Sequence, residues 1–255
     1  MVAAWTYHAP SMIDLTGQVA LVTGSSSGIG AACARELAAA GMRVVVNSSS
    51  SVAAGSALAH ELPEAIYVQA DIADSGQARS LVDQAAERWG RLDLVVNNAG
   101  TTVRIDHADI DAVTDETWAR ILGVNVVGTW SVIRAAVPAL RATGGGSIIN
   151  VTSLAGVRPT GSSIPYAVSK AALNHMTSLL AAALGPEIRV NAVAPGLVDT
   201  PWTAEWDDVR GLVQAMAPLR RSGKPVEVAE TVLSLARAEY ITGEIVVVDG
   251  GLQLR

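Results

Sequence analysis

Short apolar runs alternate with longer segments of helical period along almost the whole chain, and this alternation limits the fold more than any other feature of the sequence. Val19–Thr23 is an apolar run ended by glycine-rich punctuation, and an Ala-rich stretch from Ile29 to Ala40 follows it and stops at Gly41. That is strand, tight turn, helix. Further strands are expected at Arg43–Asn47, Ala65–Ala70, Leu92–Val96, Gly146–Val151, Ile188–Ala194 and Ile245–Val248. Helices are expected at Val52–Leu62, ended by Pro63, at Ser75–Trp89 with Ser as its cap, at Thr114–Leu140 and at Ile164–Leu184. Most strands read as unbroken apolar runs, the pattern of a parallel sheet covered by helices on both faces. The expectation is a single α/β domain over residues 15–255, a doubly wound parallel sheet of about seven strands. Residues 1–14 show no clear period and are expected to be an N-terminal extension.

The bulk numbers exclude several function classes. A chain of 255 residues can bury a substantial core, and half of its residues are hydrophobic. No uninterrupted apolar run approaches the ~18–20 residues of a membrane span, and the N-terminus lacks a basic region followed by an apolar one. The expectation is therefore a soluble, cytoplasmic protein with no membrane partner. The single cysteine, Cys33, cannot form an intrachain disulfide and reads as a small buried hydrophobe. A net charge of −6 without a basic cluster argues against nucleic acid. His8, His60, His107 and His175 show no ligand spacing with Cys33 or with one another, so no metal is expected.

Two local features carry chemistry. Thr23-Gly-Ser-Ser-Ser-Gly-Ile-Gly30 sits where the first strand hands over to the first helix, where unpaired helix N–H groups can receive a pyrophosphate. Its glycines, Gly24, Gly28 and Gly30, do not follow the G-x-G-x-x-G spacing; it is the position after the first strand that gives them weight. The second feature is Tyr166-Ala-Val-Ser-Lys170. On a helix, residues four apart share a face, and a cation near a phenol that ionises at pH ~10 favours the phenolate. With four Tyr and two Lys in 255 residues, about 0.03 chance matches to this spacing are expected.

Together with Asn97-Asn98-Ala99-Gly100 after the fourth strand, Ser153 beyond the fifth and Pro195-Gly196 after the sixth, these motifs resemble the short-chain dehydrogenase/reductase family, in particular its 3-oxoacyl-carrier-protein-reductase-like members. The likeness runs from about residue 14 to 252 and includes the ending Tyr240–Gly251. It implies a Rossmann-type fold, an enzyme that interconverts a ketone or aldehyde with an alcohol, and a homotetramer or homodimer. By the same resemblance Tyr166 is the general acid or base, Lys170 holds the nicotinamide ribose and lowers the Tyr166 pKa, Ser153 orients the substrate oxygen, and Asn125 holds a water that links Lys170 to solvent. Cofactor contacts are implied for Gly24, Ser26, Ser27, Gly28, Ile29 and Gly30, for Asn47, Ser48 and Ser49 after the second strand, and for Asp71 and Ile72 after the third. Asn98, Ala99 and Gly100 line the cofactor, Tyr166 and Lys170 meet it, and Pro195, Gly196, Val198 and Thr200 cross its nicotinamide end.

A carboxylate at the end of the second strand usually bonds an adenosine 2′-hydroxyl. Here the strand ends Val46-Asn47-Ser48-Ser49, whose side chains can donate to a phosphate, so NADP(H) is expected to be preferred, with NAD(H) also admitted because no Arg or Lys lies in that run. Pro201–Arg221 resembles the family's variable substrate lid, spanning about 200–221. Trp202 and Trp206, four apart, either wall a pocket or pack the lid on the core. Arg158 and Arg220 are either substrate contacts or surface. The competing class is a non-catalytic nucleotide sensor or scaffold on the same fold. The substrate stays open among 3-oxoacyl thioesters, cyclic ketones, sugars and steroid-like alcohols.

Overall fold

The computed structural model describes residues 13–255. Most of the expected N-terminal extension lies outside them. Seven strands form one sheet, β1 (Val19–Val22), β2 (Arg43–Ser48), β3 (Ala65–Gln69), β4 (Leu94–Asn97), β5 (Gly146–Val151), β6 (Ile188–Pro195) and β7 (Ile245–Val248). Their spatial order is β3-β2-β1-β4-β5-β6-β7, and every neighbouring pair is parallel. The chain winds outward from β1 to β3 and then returns to β4 on the other side of β1. Beyond the carboxyl ends of β1 and β4 this reversal leaves a crevice, the place where open α/β sheets bind ligands.

Period-2 alternation divides the apolar strand residues between two cores. Val44 and Val46 pack with Leu37 of α1 (Gly28–Ala39), Leu58 of α2 (Val52–Glu61) and Val232 of α8 (Pro225–Arg237), whereas Val45 faces Leu81 of α3 (Ser75–Trp89) and Ile133 of α5 (Thr129–Ala142). Each such Val or Leu contributes about 1.5–3 kcal/mol when fully buried. Neither face of the central strands could be polar, which is why they read as continuous apolar runs.

Four local expectations change. The helix expected over Thr114–Leu140 is α4 (Asp115–Leu122), a π-helical turn at Gly123–Gly128, and α5. Asn125 within that turn is pinned from outside the helix, which accounts for the wider winding. The cap of α3 is Asp74 rather than Ser75: its carboxylate accepts from the N–H groups of Gly76 and Gln77. Helix α8 was missing from the sequence expectation, although Pro225 at its start and buried Val228, Ala229, Val232, Leu235 and Ala236 have helical spacing. Finally, β4 begins at Leu94 rather than Leu92. Asp93 just before it bonds the Val19 carbonyl and the Ser147 N–H with its main chain, while its carboxylate takes the Val19 N–H and Arg91.

The run Asp115–Ala142 is long and apolar enough to cross a membrane by length and composition. In this fold it is a covering layer, with Val132, Ile133, Ala136 and Leu140 buried in the sheet-facing core and Asp115, Glu116 and Arg120 at its start.

Candidate active site

The turn from β1 into α1 is shaped by backbone that only glycine adopts freely. Gly24 has φ +62°, and a Cβ there would meet Ala99 Cα at 2.7 Å; Gly28 has φ +56° with Thr200 Cγ2 3.3 Å from the same imagined atom. The strand-four motif braces the turn. Thr23 Oγ1 accepts from the N–H groups of Asn98 and Ala99, and Asn98 Nδ2 donates to the carbonyls of Thr23 and Gly24. Ser27, at the N-cap of α1, makes no capping bond with its side chain, and the first turn of α1 carries no acidic residue. The N–H groups there are left facing a cleft of about 900 Å³ lined by Gly24, Ser26, Ser27, Gly28 and Ile29. This cradle fits a dinucleotide pyrophosphate. Gly30 stands behind it and does not line the cleft; a Cβ there would strike Asn98 Nδ2 at 2.5 Å, so close packing excludes a side chain.

At the end of β2 the structure corrects one expectation. The Asn47 side chain is not available to a phosphate: Oδ1 accepts from the Gly24 N–H, and Nδ2 donates to the carbonyls of Val68 and Ala70. Ser48 is buried with its hydroxyl on Tyr67 Oη at 2.9 Å. Ser49 is exposed, and Ser51, the N-cap of α2, makes no capping bond. Asp71 and Ile72 line the same end of the cleft, with the Asp71 carboxylate accepting from the Ala73 N–H.

Ser153, Tyr166 and Lys170 converge at the other end. Ser153 follows β5, while Tyr166 and Lys170 lie one turn apart near the start of α6 (Ile164–Leu184), which Ser163 caps by accepting from the Tyr166 N–H. Lys170 is buried, donates from Nζ to the Val151 carbonyl at 2.9 Å, and lies 5.7 Å from the Tyr166 ring centroid. Burial pushes its ammonium down to about 8. Burial also pushes the Tyr166 phenol above its usual range, opposed by a hydrogen bond with Ser153. In the protein alone the Tyr166 phenol is thus governed by burial, with the Ser153 hydrogen bond working against it.

Asn125 lies beneath this group with its side chain fully engaged. Oδ1 accepts from the Thr101 N–H at 2.7 Å, and Nδ2 donates to the Thr101 carbonyl and to Ser169 Oγ. Gly100 borders both Asn125 and Lys170. Pro195, Gly196, Val198 and Thr200 also line the cleft, and Val198 bridges to Gly223.

The outer wall combines expected and unexpected residues. Trp202 lies edge-on to Tyr166 with centroids 6.3 Å apart, and Trp206 carries the Arg104 guanidinium 5.5 Å from its ring centroid. Both indoles line the cleft, but they do not share one helix: Trp202 belongs to a 3-10 turn and Trp206 caps α7 (Asp207–Met216). Arg104 makes a two-pronged ion pair with Asp208 of α7. The 102–105 loop is tied to the start of α6 through Thr102 Oγ1 to Ser162 Oγ at 2.6 Å and the Ile105 N–H to the Ser162 carbonyl at 2.8 Å. Sequence reasoning missed Thr102, Arg104 and Ile105, which belong to no motif and are brought to the site by this fastening and by the Asp208 pair. Arg158 instead donates to the Gln253 carbonyl, and Arg220 lines a separate hollow with Met216 and Arg255; neither lines the cleft. Among the described residues no group of three His, Cys, Asp or Glu could hold a metal ion.

Comparison with known proteins agrees with this geometry. A family model described as enoyl-(acyl carrier protein) reductase matches residues 24–253. A Streptomyces violaceoruber protein called granaticin polyketide synthase putative ketoacyl reductase 2 is 56% identical over 239 residues, covering 92% of this chain and 96% of the relative. The 3-oxoacyl-[acyl-carrier-protein] reductase FabG of Thermotoga maritima is 37% identical, over 93% of this chain and 98% of its own length. A short-chain dehydrogenase/reductase structure from Burkholderia xenovorans superposes with a TM-score of 0.87 at 41% identity, covering 94% of this chain and 99% of that one. This chain belongs to the short-chain dehydrogenase/reductase family and is an NAD(P)(H)-dependent oxidoreductase that interconverts a ketone or aldehyde with an alcohol.

Proposed function

We propose that Tyr166 is the general acid and base of this reaction, that Ser153 and Lys170 position the reacting groups, and that NADP(H) is the preferred cofactor. The observation that carries this reading is the convergence of Ser153, Tyr166 and Lys170 beside a glycine cradle fit for a pyrophosphate. Bound there, the nicotinamide supplies or accepts the hydride. Ser153 holds the substrate oxygen by a hydrogen bond. A protonated Tyr166, its phenol pushed up by burial, then gives that oxygen its proton in the direction of reduction. Lys170 is fixed by the Val151 carbonyl close to Gly100, where it can hold ribose hydroxyls. With the Asn125 side chain committed to Thr101 and Ser169, a water relay from Lys170 would use the Asn125 main-chain carbonyl.

NADP(H) preference rests on the missing carboxylate after β2. Because Asn47 and Ser48 are spent inside the protein and the Val52 N–H donates to the Ser50 carbonyl, the donors for a 2′-phosphate are Ser49, Ser51 and the Ala53 and Ala54 N–H groups of α2. NAD(H) use is retained, since no cation stands there. A homotetramer or homodimer is supported by exposed apolar side chains along the covering helices, Val127, Trp130, Val168 and Leu179, and sedimentation measures it. A cytoplasmic location accords with the single cysteine, Cys33, being a buried free thiol with no disulfide partner.

The experiment is fluorescence titration with NADPH and NADH, followed by a carbonyl panel with Tyr166→Phe as control. NADPH binding at least about tenfold tighter than NADH, with turnover lost in the variant, is the expected outcome. Equal binding of the two overturns the preference, and turnover that survives Tyr166→Phe overturns the acid–base role.

A further inference from the structure

One side chain at the heart of the cleft is explained by none of the motifs. Trp202 sits on the turn Pro201–Thr203, and a Cβ on Gly100 would lie 3.8 Å from Trp202 Cη2 and 3.7 Å from Lys170 Nζ. The indole therefore reaches the junction where the cofactor end of the cleft meets the substrate end, edge-on to Tyr166 at an interplanar angle of 72°. Nevertheless 46% of the residue is exposed, a large apolar surface left uncovered beside the reacting groups. Its mounting is firm. Thr203 Oγ1 donates to the Val198 carbonyl at 2.6 Å and accepts from the Thr200 N–H, while Arg210 donates to the Thr203 carbonyl.

Trp206, Val209, Leu212 and Ile105 add apolar lining to the same cleft, beside the polar Thr102, Asp106, His107 and Thr160. Arg104, the cation on this side, is taken up by both oxygens of Asp208. Besides Arg104, the cleft on this side holds no lysine or further arginine among the described residues; His107 is its other basic side chain.

We propose that Trp202 is the specificity-determining residue of this site and that it selects a carbonyl carried on a flat or fused ring over one carried on a flexible straight chain. A carbonyl that reaches Ser153 and Tyr166 must lie along the indole. A flat ring covers that surface by offset or edge contacts without freezing rotatable bonds, whereas a straight chain loses torsional freedom in making the same contact. The proposal rests on the oxidoreductase reading above.

The test compares kcat/KM for 2-tetralone and for ethyl acetoacetate under saturating NADPH, in the natural protein, Trp202→Ala and Trp202→Phe. A preference for the ring ketone of about tenfold or more is expected, cut about tenfold by Trp202→Ala and mostly kept by Trp202→Phe. NADPH affinity should move less than about threefold in both. A straight-chain preference in the natural protein, or a ratio unchanged by Trp202→Ala, overturns the proposal. Calorimetric titration of 2-tetralone into the NADP⁺-loaded protein separates the two claims. Ring ketone that binds but is never reduced counts against the oxidoreductase reading; ring ketone bound equally well by Trp202→Ala counts against the role of Trp202.

Discussion

The cofactor rim of the cleft is held together by buried hydrogen bonds, the lid rim by ion pairs in water. At the cofactor rim Thr23, Asn47 and Asn98 spend their side chains on main-chain groups of neighbouring strands, and Gly24 touches Ala99 so closely that no side chain fits. At the lid Arg104 meets Asp208 across exposed surface, and a partly buried Arg210 meets the exposed carboxylates of Asp199 and Asp207. Buried polar groups have no substitute for a lost partner, whereas exposed ion pairs exchange theirs for water and salt. The cofactor rim is thus fixed in shape, and the lid can be altered with little harm to the fold.

The largest effect is expected from chemistry at the meeting point of the rims. Tyr166→Phe should lower kcat by about 100- to 10,000-fold. Nucleotide affinity, titrated separately, should stay within about threefold, because the phenol oxygen is not part of the cradle.

Next comes the cradle itself. Gly24→Ala forces a Cβ to 2.7 Å from Ala99 Cα on a backbone of φ +62° and should cost about 1–3 kcal/mol of stability, with nucleotide affinity lost along with it. Gly211→Ala in α7, where nothing lies within 4 Å, is the lid control. It should be neutral or stabilise by about 0.4–1 kcal/mol in chemical denaturation. Equal losses in both would erase the contrast between the rims.

Lys170 gives a third contrast, read through pH. Its pKa falls from 10.5 in the open chain to about 8 when folded, so the unfolded state binds the extra proton between those values. Stability should rise with pH across that window, and the cost, about 3 kcal/mol by linkage, is fully present below about pH 8. Lys170→Met should abolish this rise and leave the protein at least as stable at pH 7 while turnover collapses. A steep fall in stability at pH 7 would show that the Val151 hydrogen bond outweighs the burial cost.

The smallest effect should come from the lid. Arg104→Ala removes the pair with Asp208 and the cation over Trp206, and KM should rise about threefold at low salt, less at 0.5 M, with the melting temperature almost unchanged. A salt-independent change would mean that Arg104 meets the substrate directly.

The sequence by itself determined the doubly wound sheet, the glycine turn and the pairing of Tyr166 with Lys170 on one helical face, while Ser153 stood out only through the family resemblance. Strands buried on both faces must be apolar throughout, and a turn with positive φ needs glycine, so these demands are written locally in residue type. Only the tertiary structure decided which side chains are free to act. Asn47 read as a phosphate donor, but Val68, Ala70 and Gly24, distant in sequence, consume its side chain. Arg104 and Thr102 carried no signal and reached the cleft through Asp208 and Ser162. Trp202 and Trp206 suggested one helical face and lie on two elements instead. Hydrogen bonds and burial across the fold depend on partners far apart in the chain, and residue type alone does not show whether a polar group is already satisfied.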